Sequence, residues 1–543
     1  MAASYTVSCP HQASRKIQHA SIIYETGTLP LELKSYDDAL NPEVWATHHQ
    51  PFSAVIMHDS GTELIIVRDH LGLEPLYFTQ QNDSVYVASS LPALFDLLPK
   101  TPSFDERELT LLFSTSHDYS DNTLYQNVFR VEPGHLLHFH RTGSFTKKPF
   151  WTLKPQGESL IYQDPQEYVE HFSMLLKEAI AKTIPTHTSI AGEFSAGLDS
   201  TAVYCAAYEH GLRPKLFMHS APKDSDAEKR YQTRYETAFL EAYPEVDIER
   251  VQAENLDILS IFDEYATWFK GPAPYLFFMF ANPIHRAVSE QGYNILLSGF
   301  GGDQGVSSPM PPNFFIPELI AQKNYKEAWE AVMGPKLKRN ALSKLKSLLT
   351  FSTYLHPRIH QSSLFAKKMR AEFYNLLHPN ENQIVTTPHP YTRKNYKTVR
   401  EAEHALLQGQ ESHEVRMRIE YSSIISKNMG FEYRYPLLYP KLLEFFLSIP
   451  LREKRHERSG RYLIRRYLKQ FIPNDIFSQY LKKEGLDIVP ATMTHYQNQF
   501  AKGEYTQAFQ NLPYQHLITG TSYPIRLRHS IKGYMLKPFH SPQ

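Results

Sequence analysis

Residues 195–200, Ser-Ala-Gly-Leu-Asp-Ser, bring small residues, two hydroxyl groups and one carboxylate into a single short stretch. An apolar segment with the pattern of a strand precedes them, and a helical pattern that ends at Gly211 follows. In such a strand–loop–helix unit, backbone N–H groups and the positive end of the helix dipole bind an anion. Asp199 would repel phosphate directly, so its presence predicts a Mg²⁺ ion between carboxylate and phosphate. Taken alone, the segment also fits an ordinary turn that caps a helix.

A second apolar segment, residues 294–297, ends in the glycine-rich stretch Ser-Gly-Phe-Gly-Gly-Asp-Gln at residues 298–304. Loops that follow parallel strands at their carboxyl ends open on one crevice of the sheet. We therefore expect Asp199 and Asp303 to share one metal ion.

Two kinds of segment alternate along the chain and must position these loops. Residues 20–150 contain short runs rich in Ile, Val, Tyr and Phe, which predict strands. From about residue 165 helical periodicity dominates, with occasional strands, which predicts βαβ units and a parallel sheet covered by helices. The polar stretch at residues 154–159 separates the two parts, so we predict domains at residues 1–155 and 160–543.

Composition excludes several classes of protein. The 543 residues are 42% hydrophobic and carry 57 basic and 57 acidic side chains, so no net charge attracts the whole chain to nucleic acid or to an acidic membrane. Two cysteines, Cys9 and Cys205, are too few for a disulfide scaffold or a cysteine-based metal site. No signal peptide or membrane-spanning segment is visible, and we expect a soluble, cytoplasmic protein.

The two loops resemble those of a known family. Residues 195–200 resemble the pyrophosphate loop of the ATP pyrophosphatases, and residues 298–304 resemble a Ser-Gly-x-Gly-(Ala/Gly)-Asp-Glu segment of the asparagine synthetase family. Residues 68–77, 85–90 and 128–137 resemble that family's glutaminase-type domain, and residues 430–438 resemble its Gly-x-Glu-x-Arg-x-Pro segment. These matches occur in one order along the chain.

The resemblance implies a degenerate, β-rich, Ntn-like glutaminase-type domain followed by a PP-loop ATP pyrophosphatase domain, an α/β fold of the adenine nucleotide α-hydrolase type. It implies attack of a carboxylate on ATP with release of pyrophosphate, and then attack of an amine on the acyl-adenylate. Mg²⁺ would be held by Asp199 and Asp303. The residues predicted to bind ATP and pyrophosphate are Ser195, Ala196, Gly197, Leu198, Asp199, Ser200, Ser298, Gly299, Gly301 and Gly302.

Three further residues are implied as catalytic. Lys483, or alternatively Lys482, would stabilise charge that develops on the α-phosphate, and Glu432 would position or deprotonate the amine. The alternatives are a solvated lysine pair on the surface and a buried ion pair between Glu432 and Arg434. The segment at residues 215–220 matches the position where the family binds adenine through its backbone.

This sequence departs from the family in both parts. The family's glutamine-dependent members carry Cys directly after the initiator Met, whereas Ala2, Ala3 and Ser4 stand here, and the glutamine-site motifs are not found. We therefore expect a first domain that does not release ammonia. In the ATP site, Ala196 replaces a glycine, which is tolerable if φ is negative and unfavourable otherwise, and Gln304 replaces a glutamate.

The amine would then come from the substrate or from free ammonia. Glutaminase-deficient relatives include β-lactam synthetases, which use a Tyr–Glu pair, and the macrolactam cyclases of lasso peptides. Tyr391 and Tyr396 lie upstream of Glu432, and neither is assigned to that tyrosine. The basic stretch at residues 336–370 and the aromatic, Pro-rich residues 310–317 favour a peptide-sized entrance, hence a cyclase. Its expected partners are a precursor core peptide, a leader peptidase and a leader-binding protein. Another small-molecule amide synthetase is the alternative.

Two other interpretations stay open. A non-catalytic partner subunit would account for the altered residues Ala196 and Gln304. A nucleic-acid acceptor is supported only by residues 336–370, and the balanced net charge disfavours it. His135, His138 and His140 alternate along a predicted strand, but a Pro-Gly-His segment is a family feature, so we do not predict a metal site there.

Overall fold

The structure is a computed structural model. It describes residues 4–8, 15–81, 84–113, 121–153, 159–185, 188–220, 236–252, 256–272, 277–308, 316, 319–320, 322–333, 414–456, 459–472, 508–510, 512–513 and 531–539. Several sequence-based predictions lie outside these residues: Lys482, Lys483, Tyr391, Tyr396, Cys9, the basic stretch at 336–370 and most of 310–317.

The first part of the chain forms two stacked sheets. One has the order β1-β7-β6-β8 and the other the order β10-β9-β5-β4-β3-β2. All their pairings are antiparallel except that of β1 with β7. The strands are β1 (Ser4–Ser8), β2 (Arg15–Ile17), β3 (Ala20–Gly27), β4 (Phe52–His58), β5 (Leu64–Arg68), β6 (Tyr77–Gln81), β7 (Ser84–Ala88), β8 (Val128–Arg130), β9 (His135–Phe139) and β10 (Phe145–Pro149).

Strand β5 shows why the sheets stack. All five of its residues are buried, because alternate side chains enter different cores. Ile65 and Val67 pack beneath the helices α1 (Tyr36–Leu40) and α2 (Pro42–Ala46). Leu64 and Ile66 pack against the other sheet, the four-stranded one that contains β6 and β7. Helices α3 (Leu91–Asp96) and α4 (Glu106–Phe113) belong to the same part. Its described residues thus form ten strands and four short helices, which confirms that this part is β-rich.

The second part is built on a sheet whose five described strands all run parallel, in the order β13-β12-β11-β14-β15. This confirms the predicted parallel sheet. The strands are β11 (Ile190–Glu193), β12 (Lys215–His219), β13 (Ile248–Val251), β14 (Ile295–Leu297) and β15 (Glu432–Arg434), and a hairpin joins β16 (Arg455–His456) to β17 (Ser459–Gly460). The chain order reverses between β11 and β14, so a crevice is expected beyond the carboxyl ends of these two strands.

Helices cover both faces of this sheet. They are α5 (Pro165–Thr183), α6 (Leu198–Glu209), α7 (Ile258–Phe269), α8 (Phe277–Glu290), α9 (Tyr325–Met333), α10 (Glu414–Asn428), α11 (Pro440–Ser448), α12 (Leu451–Lys454) and α13 (Tyr462–Lys469), with 3₁₀ turns at Pro436–Leu438 and Lys537–Phe539. Helices α5, α6 and α13 pack together on one face, and α7, α8 and α10 form the other group. No helix among the described residues is long and apolar enough to cross a membrane.

Helix α5 illustrates how the sequence sets an element. Asp164 caps its first turn and forms a reciprocal capping box with Glu167, and Pro165 occupies the first turn, where its missing N–H costs no hydrogen bond. Buried residues then recur at helical spacing: Tyr168, Val169, Phe172, Leu175, Leu176, Ala179 and Ile180. The helical periodicity predicted from about residue 165 is confirmed by α5, and the helix predicted after residues 195–200 is confirmed by α6.

The two parts are joined through α10. Lys427 of α10 forms an ion pair with Glu74, and Arg416 lies 3.7 Å from Glu132. The chain also returns to the first part near its end, where Leu536 packs with Leu112 and Phe113 of α4.

Candidate active site

The first loop follows β11 and leads into α6. The Gly197 N–H donates to the Ser195 hydroxyl at 3.3 Å, and that hydroxyl lies 3.2 Å from the Ser200 hydroxyl. Gly197 caps α6 without a side-chain hydrogen bond, and Leu198 begins the helix and is buried in the core. The positive end of the helix dipole therefore points at the loop, as the sequence predicts for an anion site.

Ala196 adopts the backbone conformation that the sequence analysis identified as unfavourable. Its φ is 57° and its side chain is fully buried. A non-glycine residue in this left-handed region is strained by about 1 kcal/mol or more. The loop therefore keeps the shape that a glycine would allow, and the fold around it supports that strain.

The second loop, residues 298–304, presses against the first. A Cβ on Gly299 would lie 2.5 Å from the Ser200 backbone nitrogen, and a Cβ on Gly302 would lie 2.3 Å from Cγ of Asp199. Such separations exclude any side chain at either position, so the glycines permit the contact. Gly301 lies against the Leu438 side chain, and the Ser298 N–H donates to the carbonyl of Arg434.

The two loops bring Asp199 and Asp303 together, as predicted. One guanidinium, that of Arg461, lies 3.6 Å from Asp199 and also forms an ion pair with Asp303. Burial, and next the charge of Asp303, raise the pKa of Asp199 to about 7. Carboxylates that share one cation in this way offer the hard oxygen ligands that Mg²⁺ prefers. The residues therefore fit a divalent cation, and their role as its ligands stays a prediction.

Arg461 and Ser307 complete this acidic centre, and the sequence did not reveal either. The Ser307 hydroxyl donates to Asp199, and it opposes the rise in the pKa of that carboxyl, as Arg461 does. Arg461 stands immediately before α13 with a φ of 60°. It is far from both acids in sequence, so only the packing of α13 against α6 and α5 brings it there.

A cluster of polar side chains lies beside the loops, on the face of the sheet opposite α6. Glu193, the last residue of β11, accepts a hydrogen bond from the Tyr433 hydroxyl at 2.5 Å and lies 3.4 Å from the Arg418 guanidinium. His285 Nε2 lies 2.6 Å from the Tyr433 hydroxyl oxygen. The Arg418 guanidinium also lies over the ring of Phe300 in the second loop. None of these residues was predicted from the sequence for a role at this place.

Glu432 lies at the other end of the sheet. It opens β15, where it pairs in register with Ile295 of β14, three residues before Ser298. At about 3.3 Å per residue, it sits about 10 Å below the level at which the second loop begins. Its side chain forms the ion pair with Arg434 that was the alternative from the sequence, but the glutamate is 47% exposed rather than buried. The structure does not bring Glu432 to the loops, and its catalytic role stays a prediction.

The remaining predicted positions have ordinary surroundings. His138 of β9 and His140, which directly follows this strand, have ring centroids 4.2 Å apart. His138 Nε2 lies 3.1 Å from a Glu63 oxygen, and His135 lies 3.8 Å from Glu132. The segment predicted to face adenine forms β12, between β11 and β13. Lys482 and Lys483 lie outside the described residues.

Comparisons with known proteins match two stretches of the chain. The family profile described as "Asparagine synthase" matches residues 171–512, well over half of the chain. The profile described as "Glutamine amidotransferase domain" matches residues 43–151.

Several curated proteins are similar to parts of this chain. "Amidase chyE" of Penicillium rubens is 24% identical over 304 residues, which are 53% of this chain and 43% of that protein. "Amidase chry2" of Gibberella zeae is 24% identical over 268 residues, 47% of this chain and 39% of that protein. "Asparagine synthetase [glutamine-hydrolyzing] 2" of Bacillus subtilis is 23% identical over 161 residues, 28% of this chain and 22% of that protein. The matched part of this chain spans less than half the length of these relatives.

Proposed function

This chain belongs to the asparagine synthase family, and from that premise we propose that it is an ATP-dependent carbon–nitrogen ligase. ATP is its substrate, and the reaction proceeds through an acyl-adenylate with release of AMP and pyrophosphate. An amine then attacks the acyl carbon and forms an amide bond.

One observation carries the proposal: two glycine-rich loops pack against each other where the strand order reverses. Each loop contributes one carboxylate, Asp199 or Asp303, and both carboxylates face the guanidinium of Arg461. A doubly wound sheet binds its ligand at this place. The first loop offers hydroxyls and a helix N-terminus for phosphate, and the carboxylates supply ligands for a metal ion. An ordinary helix-capping turn would need neither the second loop nor the acids.

Each group near the loops has a distinct task in this reaction. The Ser195 and Ser200 hydroxyls and the first N–H groups of α6 bind the polyphosphate that leaves. Asp199 and Asp303 would hold Mg²⁺, which neutralises the charge of the leaving pyrophosphate when bound. Arg461 is a further positive charge beside the same position. Either Lys482 or Lys483 is the expected donor to the α-phosphate, with a contribution of about 10²–10³ in rate.

The acyl and amine groups belong, in our proposal, to a peptide. A core peptide would join its N-terminal amine to an Asp or Glu side chain, as in the lasso peptide cyclases that the sequence resembles, and a leader peptidase and a leader-binding protein would supply it. Glutamine would not be the nitrogen source. A small-molecule amide is the second candidate, because the relatives are named amidases and asparagine synthetases.

Product accounting with purified protein tests the proposal. ATP and Mg²⁺ are supplied with L-aspartate plus ammonium chloride, with L-aspartate plus glutamine, and with a linear peptide that has a free N-terminus and an internal Asp or Glu. Release of AMP and pyrophosphate with loss of one water from the peptide supports the cyclase. Turnover with aspartate and ammonium alone supports the second candidate, and turnover with glutamine overturns glutamine independence.

A non-catalytic partner subunit is the remaining candidate of another class. The strained Ala196 in the phosphate loop is the observation that favours it. This candidate predicts ATP binding without pyrophosphate release in every arm, unaffected by Asp199→Ala.

A further inference from the structure

Glu193 occupies the crevice end of the central strand. It is the last residue of β11, two residues before Ser195 in the first loop. A Cβ on the preceding residue, Gly192, would meet the Tyr204 side chain of α6, so Glu193 points to the opposite face of the sheet. Its side chain is 16% exposed. The carboxylate therefore belongs to the residue two positions before the phosphate loop, lies on the face away from α6, and is partly exposed.

Three elements fix the orientation of this carboxylate. The Tyr433 hydroxyl of β15 donates to its Oε1 at 2.5 Å, and the Arg418 guanidinium of α10 lies 3.4 Å from its Oε2. Behind the tyrosine, His285 of α8 is fully buried with its Nε2 at 2.6 Å from the phenolic oxygen. Since the phenolic proton is directed at Glu193, the imidazole N–H donates to the tyrosine oxygen.

The protonation states agree with that direction. Burial, and next the Glu193 charge, raise the pKa of Tyr433 well above its usual range, so the phenol keeps its proton. Burial lowers the pKa of His285 well below its usual range, so the imidazole is neutral with one N–H to donate. The chain from His285 through Tyr433 to Glu193 therefore stabilises a carboxylate whose position is fixed.

We propose that Glu193 binds the attacking amine and takes its proton during amide formation, as a further catalytic residue of the proposed reaction, on which this inference rests. An ionised carboxylate has about four acceptor positions, and Tyr433 and Arg418 use two of them. The others accept N–H groups of an ammonium or amine in the crevice. A carboxylate would repel the phosphates, so the amine is the reactant that it attracts.

Amide formation transfers one proton from the amine to Glu193. The amine nitrogen attacks the acyl carbon of the acyl-adenylate and a C–N bond forms. The bond from that carbon to the AMP oxygen breaks, and AMP leaves with the electron pair. The proton that the nitrogen loses passes to the Glu193 carboxylate, whose exposed side returns it to solvent.

Glu193→Gln tests the role with two nucleophiles. ATP and Mg²⁺ are supplied with whichever acid, L-aspartate or the linear peptide, releases pyrophosphate with wild-type protein, and ammonium chloride or hydroxylamine is added. Hydroxylamine is uncharged at neutral pH and needs less help to lose a proton. We expect pyrophosphate release and hydroxamate formation to persist, and carboxamide formation from ammonium to fall about 10²-fold or more. Raising the pH should restore part of the loss, because more ammonia is then present.

The charges of the groups around Glu193 must stay constant in this pH series. These groups are Arg418 of α10, Tyr433 and Tyr435 at β15, His285 of α8, His219 of β12 and Tyr204 of α6. Burial lowers the pKa of His285 and of His219 and raises the pKa of the three tyrosines, so these five groups stay neutral between pH 8 and pH 9. The series is kept to this range because the pKa of Asp199 is about 7, and that carboxyl is already largely ionised at pH 8.

Glu178→Gln is the matched control. Glu178 also accepts hydrogen bonds from a tyrosine hydroxyl, that of Tyr439 at 2.9 Å, and from a cation, Lys441 at 2.7 Å, but it lies on α5. This variant should leave both products unchanged. Unchanged carboxamide formation in Glu193→Gln, or an equal loss of both products or of pyrophosphate release, overturns the role of Glu193. Absence of pyrophosphate release by wild-type protein with either acid overturns the proposed function itself, and this inference with it.

Discussion

Arg418 and Glu420, two residues apart on α10, point into different parts of the molecule. Arg418 lies against Glu193 beside the loops, whereas Glu420 accepts from Arg68, Tyr77 and Arg130 of the first part, at 3.3, 2.9 and 2.7 Å. Residues two positions apart on a helix face away from each other, so one turn of α10 connects the two surroundings. The first domain thus fixes the position of α10, which carries Arg418, and this role does not depend on any catalytic activity of that domain.

Glu420→Gln should destabilise the whole chain. Glu420 and Arg68 are each about 1% exposed, and removing the charge leaves the buried guanidinium of Arg68 and the partly buried guanidinium of Arg130 without their carboxylate. Loss of one partner of a buried ion pair costs about 3–5 kcal/mol. Urea unfolding measures the change in the free energy of unfolding. Asp59→Asn, which breaks the exposed pair with Lys16, should have no measurable effect. Equal stabilities of the two variants would contradict the role of Glu420.

Ala196→Gly should stabilise the protein. The left-handed conformation at φ 57° strains alanine but not glycine, and relief of that strain outweighs the extra entropy of glycine in the unfolded chain by about 1 kcal/mol. The thermal unfolding midpoint measures the gain. The same replacement at Ala202, in the interior of α6, should instead destabilise by about 0.5–1 kcal/mol. Destabilisation at both positions would mean that the buried methyl group of Ala196 matters more than its backbone strain.

The features that could be predicted from the sequence are those that depend on residues close together along the chain. Asp199 and Asp303 each follow an apolar strand directly, so their convergence followed from the properties of a parallel sheet. Arg461 and Glu193 could not be found in this way, because their partners lie far along the chain and come together only through helix packing. The motif that contains Glu432 gave no information about which end of β15 it would occupy. The φ of Ala196 likewise depends on the contacts of the folded loop.

Stability should fall in acid through His70. This residue is 4% exposed, its Nε2 lies 3.0 Å from the Ala46 carbonyl, and burial lowers its pKa to about 3 from the usual 6.5. Between these two pKa values the unfolded chain binds a proton that the folded state does not. The contribution of His70 to the free energy of unfolding is therefore complete above pH 6.5 and decreases as the pH falls towards 3. At pH 5 this loss amounts to about 2 kcal/mol.

His70→Gln keeps a donor for Ala46 but does not titrate. Its free energy of unfolding should be lower than that of wild-type protein at pH 7.5, and the difference between the two should narrow by about 2 kcal/mol at pH 5. Urea unfolding at a series of pH values measures this difference. A difference that stays constant with pH would show that His70 is not the group responsible.

Arg461→Ala should strengthen the binding of Mg²⁺ in the absence of nucleotide. The guanidinium forms ion pairs with both Asp199 and Asp303, so it competes with a divalent cation for the same carboxylates. Removing it should lower the Kd for Mg²⁺ about tenfold, which corresponds to about 1.4 kcal/mol. Isothermal titration with MgCl₂ measures this Kd. Asp303→Asn removes one carboxylate and leaves Arg461, so it should weaken binding instead. If Arg461→Ala weakens Mg²⁺ binding as much as Asp303→Asn does, the arginine supports the site rather than competing for it. That result would contradict the assignment of Asp199 and Asp303 as one cation site that Arg461 occupies in the absence of Mg²⁺.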